Sequence, residues 1–279
     1  MQRQGWRLAP FCKTTVPLPD AGESRTATHT EVPFKLYRDY AIVVRGSVGE
    51  RDKLNFIIDT GSSSTVVDAS LAHKLGLALS ARKLSVFERT VVVDEAVLPS
   101  LRLGPLEVGP LSVVVQNLAS LRDIFSVRVD AIVGIDVLSR SSFTVDYQRR
   151  KLIWGPAERL PNAVSCDPRF PYPTMPLLIG NRTLNVYLDT GAQELALFEN
   201  RTGPVAMQVV HEETRTTLTG PVVVKTAELY EVSLGATSWP RRQGTLMNGS
   251  LFDGTLGPRW LGVKRIRFDV EHKVVSWEK

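Results

Sequence analysis

The sequence predicts a mainly β protein made of two related lobes facing each other across a cleft, with a few short helices. Three observations carry this expectation. Short apolar and β-branched runs alternate with Gly, Pro and Asn turns along most of the chain. Four blocks occur twice in the same order: Leu54–Gly61 with Leu184–Gly191, Val91–Gly104 with Val222–Gly235, Val129–Leu138 with Phe252–Leu261, and Phe143–Trp154 with Ile266–Trp277. The offset is 130 or 131 for the first two blocks and 123 for the last two, which places about eight extra residues in the first copy, within Asn117–Arg128.

Each copy opens with a hairpin. Ala41–Val48 and Lys53–Ile58 join at Gly49-Glu50, and Thr174–Ile179 and Thr183–Leu188 join at Gly180-Asn181. The second strand of each runs into Asp-Thr-Gly, where Gly61 and Gly191 permit a turn that other residues resist. Short helices are expected at Ala69–Leu75 and after Gly134 and Gly257, with Pro258 suited to a first helical position. Tyr147–Lys151 and Val270–Lys273 read as tight turns between closing strands, with Asp146 and Asp269 in turn or cap roles. Asp130 and Asp253 read the same way, and Trp154 and Trp277 as seals at the core edge. Residues 1–32 read as a tail, 33–155 as the first lobe, 156–171 as a Pro-rich linker, and 172–279 as the second lobe.

Composition narrows the class. A chain of 279 residues with 43% hydrophobic and 23% charged residues can bury a sizeable core. No apolar run approaches the ~20 residues of a membrane helix, and residues 1–20 hold no apolar stretch of secretory type. The net charge is +5, but the basic clusters Arg149-Arg150-Lys151 and Arg241-Arg242 read as solvated turns, so nucleic acid is not an expected partner. Cys12 and Cys166 are too few for a disulfide scaffold and read as two free thiols or one pair. Asn181, Asn200 and Asn248 each open an Asn-x-Ser/Thr triplet, which decides nothing without the compartment. The four histidines have no metal-ligand spacing, and no cofactor or metal is called for.

A lone Asp-Thr-Gly is weak. Two at matching positions of a duplicated fold are strong, because related halves pair about a pseudo-two-fold axis and bring equivalent residues together. Asp59 and Asp189 can then meet. Two carboxylates ~4 Å apart at an effective dielectric of ~20 repel by about 4 kcal/mol, or about three pKa units. Such a pair shares one proton, the ionised member acting as general base and the protonated one as general acid.

On these residues, together with Ile132-Val133-Gly134 and Thr255-Leu256-Gly257, each copy resembles a retropepsin-like aspartic protease domain. The whole is similar to tandem, single-chain bacterial aspartyl proteases. The resemblance covers all but the tail and linker. It implies two β-barrel lobes of retropepsin or pepsin type, with Asp59 and Asp189 as the catalytic pair. Thr60 and Thr190 would interlock with the opposite loop. Gly61, Gly191, Ser62 and Ala192 would support the pair, Ser62 by a hydroxyl bond to the outer oxygen of Asp59 that favours its ionised form. Flap hairpins would lie around Lys83–Val93 and Val209–Val224, with Phe87, Glu88 and Thr217 at the tips against substrate. The implied activity is metal-free hydrolysis of an extended polypeptide by a monomer, faster in acid, in an extracytoplasmic compartment. The alternatives are an inactive peptide-binding protein of the same fold, and lobes that pair with a second chain. One departure stands out: Gly134 is followed by Ile135-Asp136, near the family's Gly-x-Asp/Asn brace, but Gly257 by Pro258-Arg259, so support of the second lobe must differ.

Overall fold

The computed structural model describes residues 30–86, 89–157, 159–170, 173–217, 220–249 and 252–279. The first copy begins with β1 (Thr30–Tyr37), the hairpin β2 (Ala41–Val48) and β3 (Arg51–Ile58), then β4 (Val66–Asp68) and α1 (Ala69–Lys74). It continues through β5 (Ser80–Val86), β6 (Arg89–Leu98), β7 (Leu101–Leu103), β8 (Leu106–Val108) and β9 (Leu111–Gln116). It closes with α2 (Ala119–Phe125), β10 (Ala131–Val133), α3 (Ile135–Leu138), β11 (Phe143–Asp146) and β12 (Lys151–Trp154). The second copy comprises β13 (Asn162–Ser165), β14 (Thr174–Ile179), β15 (Arg182–Leu188), β16 (Leu195–Phe198), α4 (Glu199–Thr202) and β17 (Met207–Thr217). After these come β18 (Gly220–Leu234), β19 (Thr237–Met247), β20 (Gly254–Leu256), α5 (Pro258–Leu261), β21 (Arg265–Asp269) and β22 (Val274–Glu278).

The two lobes have one strand order. In the first it is β2-β3-β10-β4-β9-β6-β5, and in the second β14-β15-β20-β16-β19-β18-β17. Each curls into a barrel, closed by β7 on β2 and by β18 on β14. The strands differ where proline intervenes. Pro99 and Pro110 flank the short β7/β8 hairpin, since a residue without an N–H cannot continue a ladder. Tyr230 and Arg241 occupy those places in the second copy, and β18 and β19 run on in one register, with Glu231 at φ 55° where the ladder passes Pro240.

A third layer joins the lobes. β12 and β11 pair antiparallel with β21 and β22 in one sheet, flanked by β1 and β13. Thr144 lies opposite Arg267, its own equivalent in the repeat, so the pseudo-two-fold axis passes between them. Phe143 and Phe268 stack across the same seam at 4.6 Å, and both are buried. β13 falls inside the stretch expected to be a linker. It pairs with β22 as β1 pairs with β12, with Val164 opposite Val275 and Val32 opposite Leu152. The unit Asn-Ala-Val-Ser is too short and too polar to announce a strand; its order comes from the ladder it completes.

The eight-residue excess is also placed. Fourteen residues separate β9 from β10, against six between β19 and β20, and α2 occupies the longer connection. Its Leu121 and Phe125 bury against Val43, Ile57 and Ile132 on the outer face of the first sheet, beside Tyr40. On the matching face of the second lobe, Phe252 packs on Tyr187 at 4.8 Å and on Phe170 at 5.0 Å instead. No helix among the described residues is long and apolar enough to cross a membrane.

Candidate active site

β3 and β15 deliver Asp59 and Asp189 to the point where the lobes meet. The backbone N–H of Asp59 donates to Val133 O at 3.0 Å and that of Asp189 to Leu256 O at 2.9 Å, so each hydrophobic-hydrophobic-Gly motif pins one aspartate from beneath. The threonines then lock the two loops. Thr60 Oγ1 donates to Leu188 O at 2.8 Å and accepts from Thr190 N at 3.0 Å. Reciprocally, Thr190 Oγ1 donates to Ile58 O at 2.9 Å and accepts from Thr60 N at 3.0 Å. Both threonines are fully buried, so these four bonds form out of water and are costly to leave unmade.

The glycines fix how closely the carboxyls approach. A Cβ on Gly61 would lie 2.4 Å from the carboxyl carbon of Asp189, and one on Gly191 would lie 2.8 Å from that of Asp59. Each carboxyl therefore occupies the space a side chain would fill on the opposite loop. Gly61 N donates to Asp59 Oδ1 at 2.9 Å and Gly191 N to Asp189 Oδ1 at 2.8 Å. The two carboxyls hydrogen-bond each other. Both aspartates are half-buried, keeping one open face while protein replaces most of their water. Burial raises the Asp59 carboxyl above the usual carboxylate range, against the bonds from Asp189, Gly61 and Ser62. Burial, then the charge of Asp59, raises Asp189 well above it.

Ser62 departs from expectation. Its hydroxyl donates to Ser64 O at 2.8 Å, not to Asp59; a carbonyl two residues on captures it, as short hydroxyl side chains in turns do. The Ala192 backbone N–H donates to Asp189 O at 3.1 Å, matching Ser62 N on Asp59 O at 3.3 Å. The supports of the two aspartates are thus nearly symmetric, and the hydroxyl asymmetry expected from Ser62 against Ala192 is not formed.

The braces do differ. In the first lobe the Asp136 carboxylate accepts from Thr65 N at 2.9 Å, Thr65 Oγ1 at 2.8 Å and Val137 N at 3.0 Å. In the second, Leu195 and Arg259 stand at these places, and Arg259 reaches across to Asp39 at 3.7 Å. The loop is held by Gly257 N on Glu194 O at 3.0 Å, and Trp260 fastens α5 to β19: its indole N–H donates to Gln243 O at 2.5 Å, and Arg242 donates to its carbonyl. The Arg242 guanidinium lies 5.0 Å from the Trp260 ring and 5.8 Å from that of Trp239. Composition alone gave no sign of this wedge.

Other expected roles resolve simply. Asp130 and Asp253 accept from the backbone N–H of Asn55 and Asn185 at 2.9 and 2.8 Å, tying down equivalent strands. Asp146 and Asp269 accept from Arg149 N and His272 N within their turns. Trp154 and Trp277 are buried. Hairpins β5/β6 and β17/β18 stand where flaps were expected, closing at Val86–Arg89 and Thr217–Gly220. Phe87, Glu88 and Cys12 lie outside the described residues, as does the side chain of Thr217. Cys166 has no disulfide partner among the described residues, and burial pushes its thiol up to about 12. No group of three His, Cys, Asp or Glu among the described residues is placed to hold a metal.

Residues 44–137, from β2 into α3 and including Asp59 and Asp136, match the family described as aspartyl protease. The first lobe is an aspartyl protease family domain. No curated protein matches the chain. Among solved structures, a retropepsin-like aspartic protease from Rickettsia conorii is similar over 48% of this chain and 94% of its own, at 20% identity and a TM-score of 0.34. Basic 7S globulin from soybean is similar over 90% of this chain and 96% of its own, at 12% identity and a TM-score of 0.50. The second likeness is one of fold and spans both lobes. The second lobe lies outside the family match; the internal repeat and the shared strand order tie it to the first.

Proposed function

We propose that this chain is an aspartic endopeptidase with one active site, built intramolecularly from Asp59 and Asp189. The observation that carries the reading is the pair of carboxyls in hydrogen-bond contact at the lobe junction, each seated over the glycine of the opposite loop. Shared burial raises both, so the pair keeps one proton well above the pH at which an exposed carboxyl loses it.

The chemistry follows from that proton. The ionised carboxylate takes a proton from water as its oxygen attacks the peptide carbonyl carbon, and the protonated carboxyl donates to the carbonyl oxygen. The gem-diol then collapses: its hydroxyl proton returns to the dyad, a proton passes to the amide nitrogen, and the C–N bond breaks. The products are a carboxylic acid and an amine, with the dyad restored. The Thr60/Thr190 lock holds the carboxyls in register through these steps without touching substrate.

The test is cleavage of a mixed peptide library from pH 3 to 8 by the wild type, Asp59→Asn and Asp189→Asn. Acid-favoured cleavage that falls at least about a thousandfold in each single variant is expected. Cleavage that survives either variant, or a profile flat from pH 4 to 8, would overturn the shared-proton mechanism. Binding of peptides without cleavage by the wild type would favour a peptide-binding role.

A further inference from the structure

The end of β3 farthest from Asp59 borders a cavity of about 500 Å³. Roughly 26 Å of strand lies between Arg51, on the cavity wall, and Asp59. The first lobe differs from the second here by three local additions, and each brings a cation to the wall. The first is one extra residue in β3. Asp52 and Lys53 together face Ser47, where Thr183 alone faces Leu178 in the second lobe, so Lys53 stands on a bulge. The second is a longer helix: α1 has six residues against four in α4, and Lys74 ends it. The third is the longer connection from β9 to β10, which supplies Arg128.

The second lobe closes the same corner without these additions. Asn185 N donates to Asp253 Oδ2 at 2.8 Å, as Asn55 N donates to Asp130 Oδ2 at 2.9 Å. One addition is also strained. Lys53 has φ 59°, in the left-handed region that favours glycine. A bulge re-aims the side chain it carries, and strain kept where the fold does not require it points to a function for that side chain.

The charges narrow that function. Arg128 and Asp130 satisfy each other at 2.8 Å. Arg51 donates to the carbonyl of Lys74 at 3.1 Å. Among the described residues, Arg51, Lys53 and Lys74 make no ion pair. Against these three exposed cations the wall sets Glu50 and Asp52, and the charge of Asp52 also acts on Arg102 of β7. The wall therefore carries an excess of positive charge. Leu71, buried, and Leu54, half-buried, add apolar surface to it.

We propose that this cavity binds a small molecule carrying a phosphate group, with Lys53 and Lys74 on the phosphate oxygens and the organic body against Leu54 and Leu71. A doubly charged phosphate calls for more than one cation, and each ammonium offers three donors to its oxygens. The volume is of the order usual for small-molecule sites and exceeds what a bare phosphate fills. The site is separate from the aspartate pair and stands whether or not the chain cleaves peptides.

The experiment titrates the full chain by calorimetry with inorganic phosphate, phenyl phosphate and acetate, at fixed ionic strength and about pH 8, where phosphate is doubly charged. Phosphate should bind at least about tenfold tighter than acetate, and phenyl phosphate tighter still. Lys53→Gln and Lys74→Gln should each weaken phosphate binding by about tenfold, and Asp189→Asn should leave it unchanged. Lys53→Gly separates the site from the fold. It relieves the strained backbone and removes the cation, so it should melt higher than the wild type without phosphate and gain less from adding it. Phosphate bound no tighter than acetate, or equally well by both lysine variants, would overturn the proposal. Phenyl phosphate bound no tighter than phosphate would overturn the place given to the organic body.

Discussion

Thr60 and Thr190 do the mechanical work on which the aspartates depend. Replacing Thr60 with Val strands Thr190 N and Leu188 O in a buried seam, so unfolding free energy should fall by about 2–4 kcal/mol, measured by denaturant titration. The aspartates pull the other way. Their folded pKa values are raised, so the folded state binds more protons than the unfolded one. The stability they contribute is present at low pH and lost as pH rises through the raised values. Asp189→Asn should therefore melt higher than the wild type at pH 8 and close to it at pH 3 by calorimetry. Thr174→Val and Thr245→Val should each stabilise by about 1 kcal/mol, because each removes a buried hydroxyl with no partner. The sequence displayed the paired Asp-Thr-Gly plainly, because identical loops at equivalent places leave few other readings. It did not display where the Ser62 hydroxyl points, because a carbonyl two residues away competes for it.

Among the elements, α3 and α5 show one job done by two means. Asp136 braces the first loop through three hydrogen bonds, and Asp136→Ala leaves Thr65 and Val137 donors unanswered, at a cost of about 2–3 kcal/mol. Trp260 and Arg242 fasten α5 to β19 by packing and stacking, and Trp260→Ala should cost about 3–5 kcal/mol with a matching loss of cleavage. Thermal midpoints beside kcat/KM for both variants check this. The hairpins, the helix after each glycine and the polar turns could be read from the sequence, since each rests on local chemistry: Gly at positive φ, Pro258 at a helix start, alternating apolar runs. β13 could not, because its order is borrowed from β22 across the chain. The position of the extra residues was legible from the change of offset, but their folding into α2 was not, since Leu121 and Phe125 acquire a helical role only against the sheet they cover.

For the whole molecule, two seams define the pseudo-symmetry: the threonine lock at the site and the Thr144–Arg267 pairing in the joining sheet. Both lie within one chain, so the 30.9 kDa monomer should carry the complete site. The measurement that tests this most directly is a mixing experiment. Asp59→Asn and Asp189→Asn are assayed alone and then as an equal mixture after co-refolding. The account predicts three inactive samples, because every chain then holds one spoiled site of its own. Activity regained in the mixture would mean that Asp59 and Asp189 meet between chains, and activity in either variant alone would mean that they do not form one site.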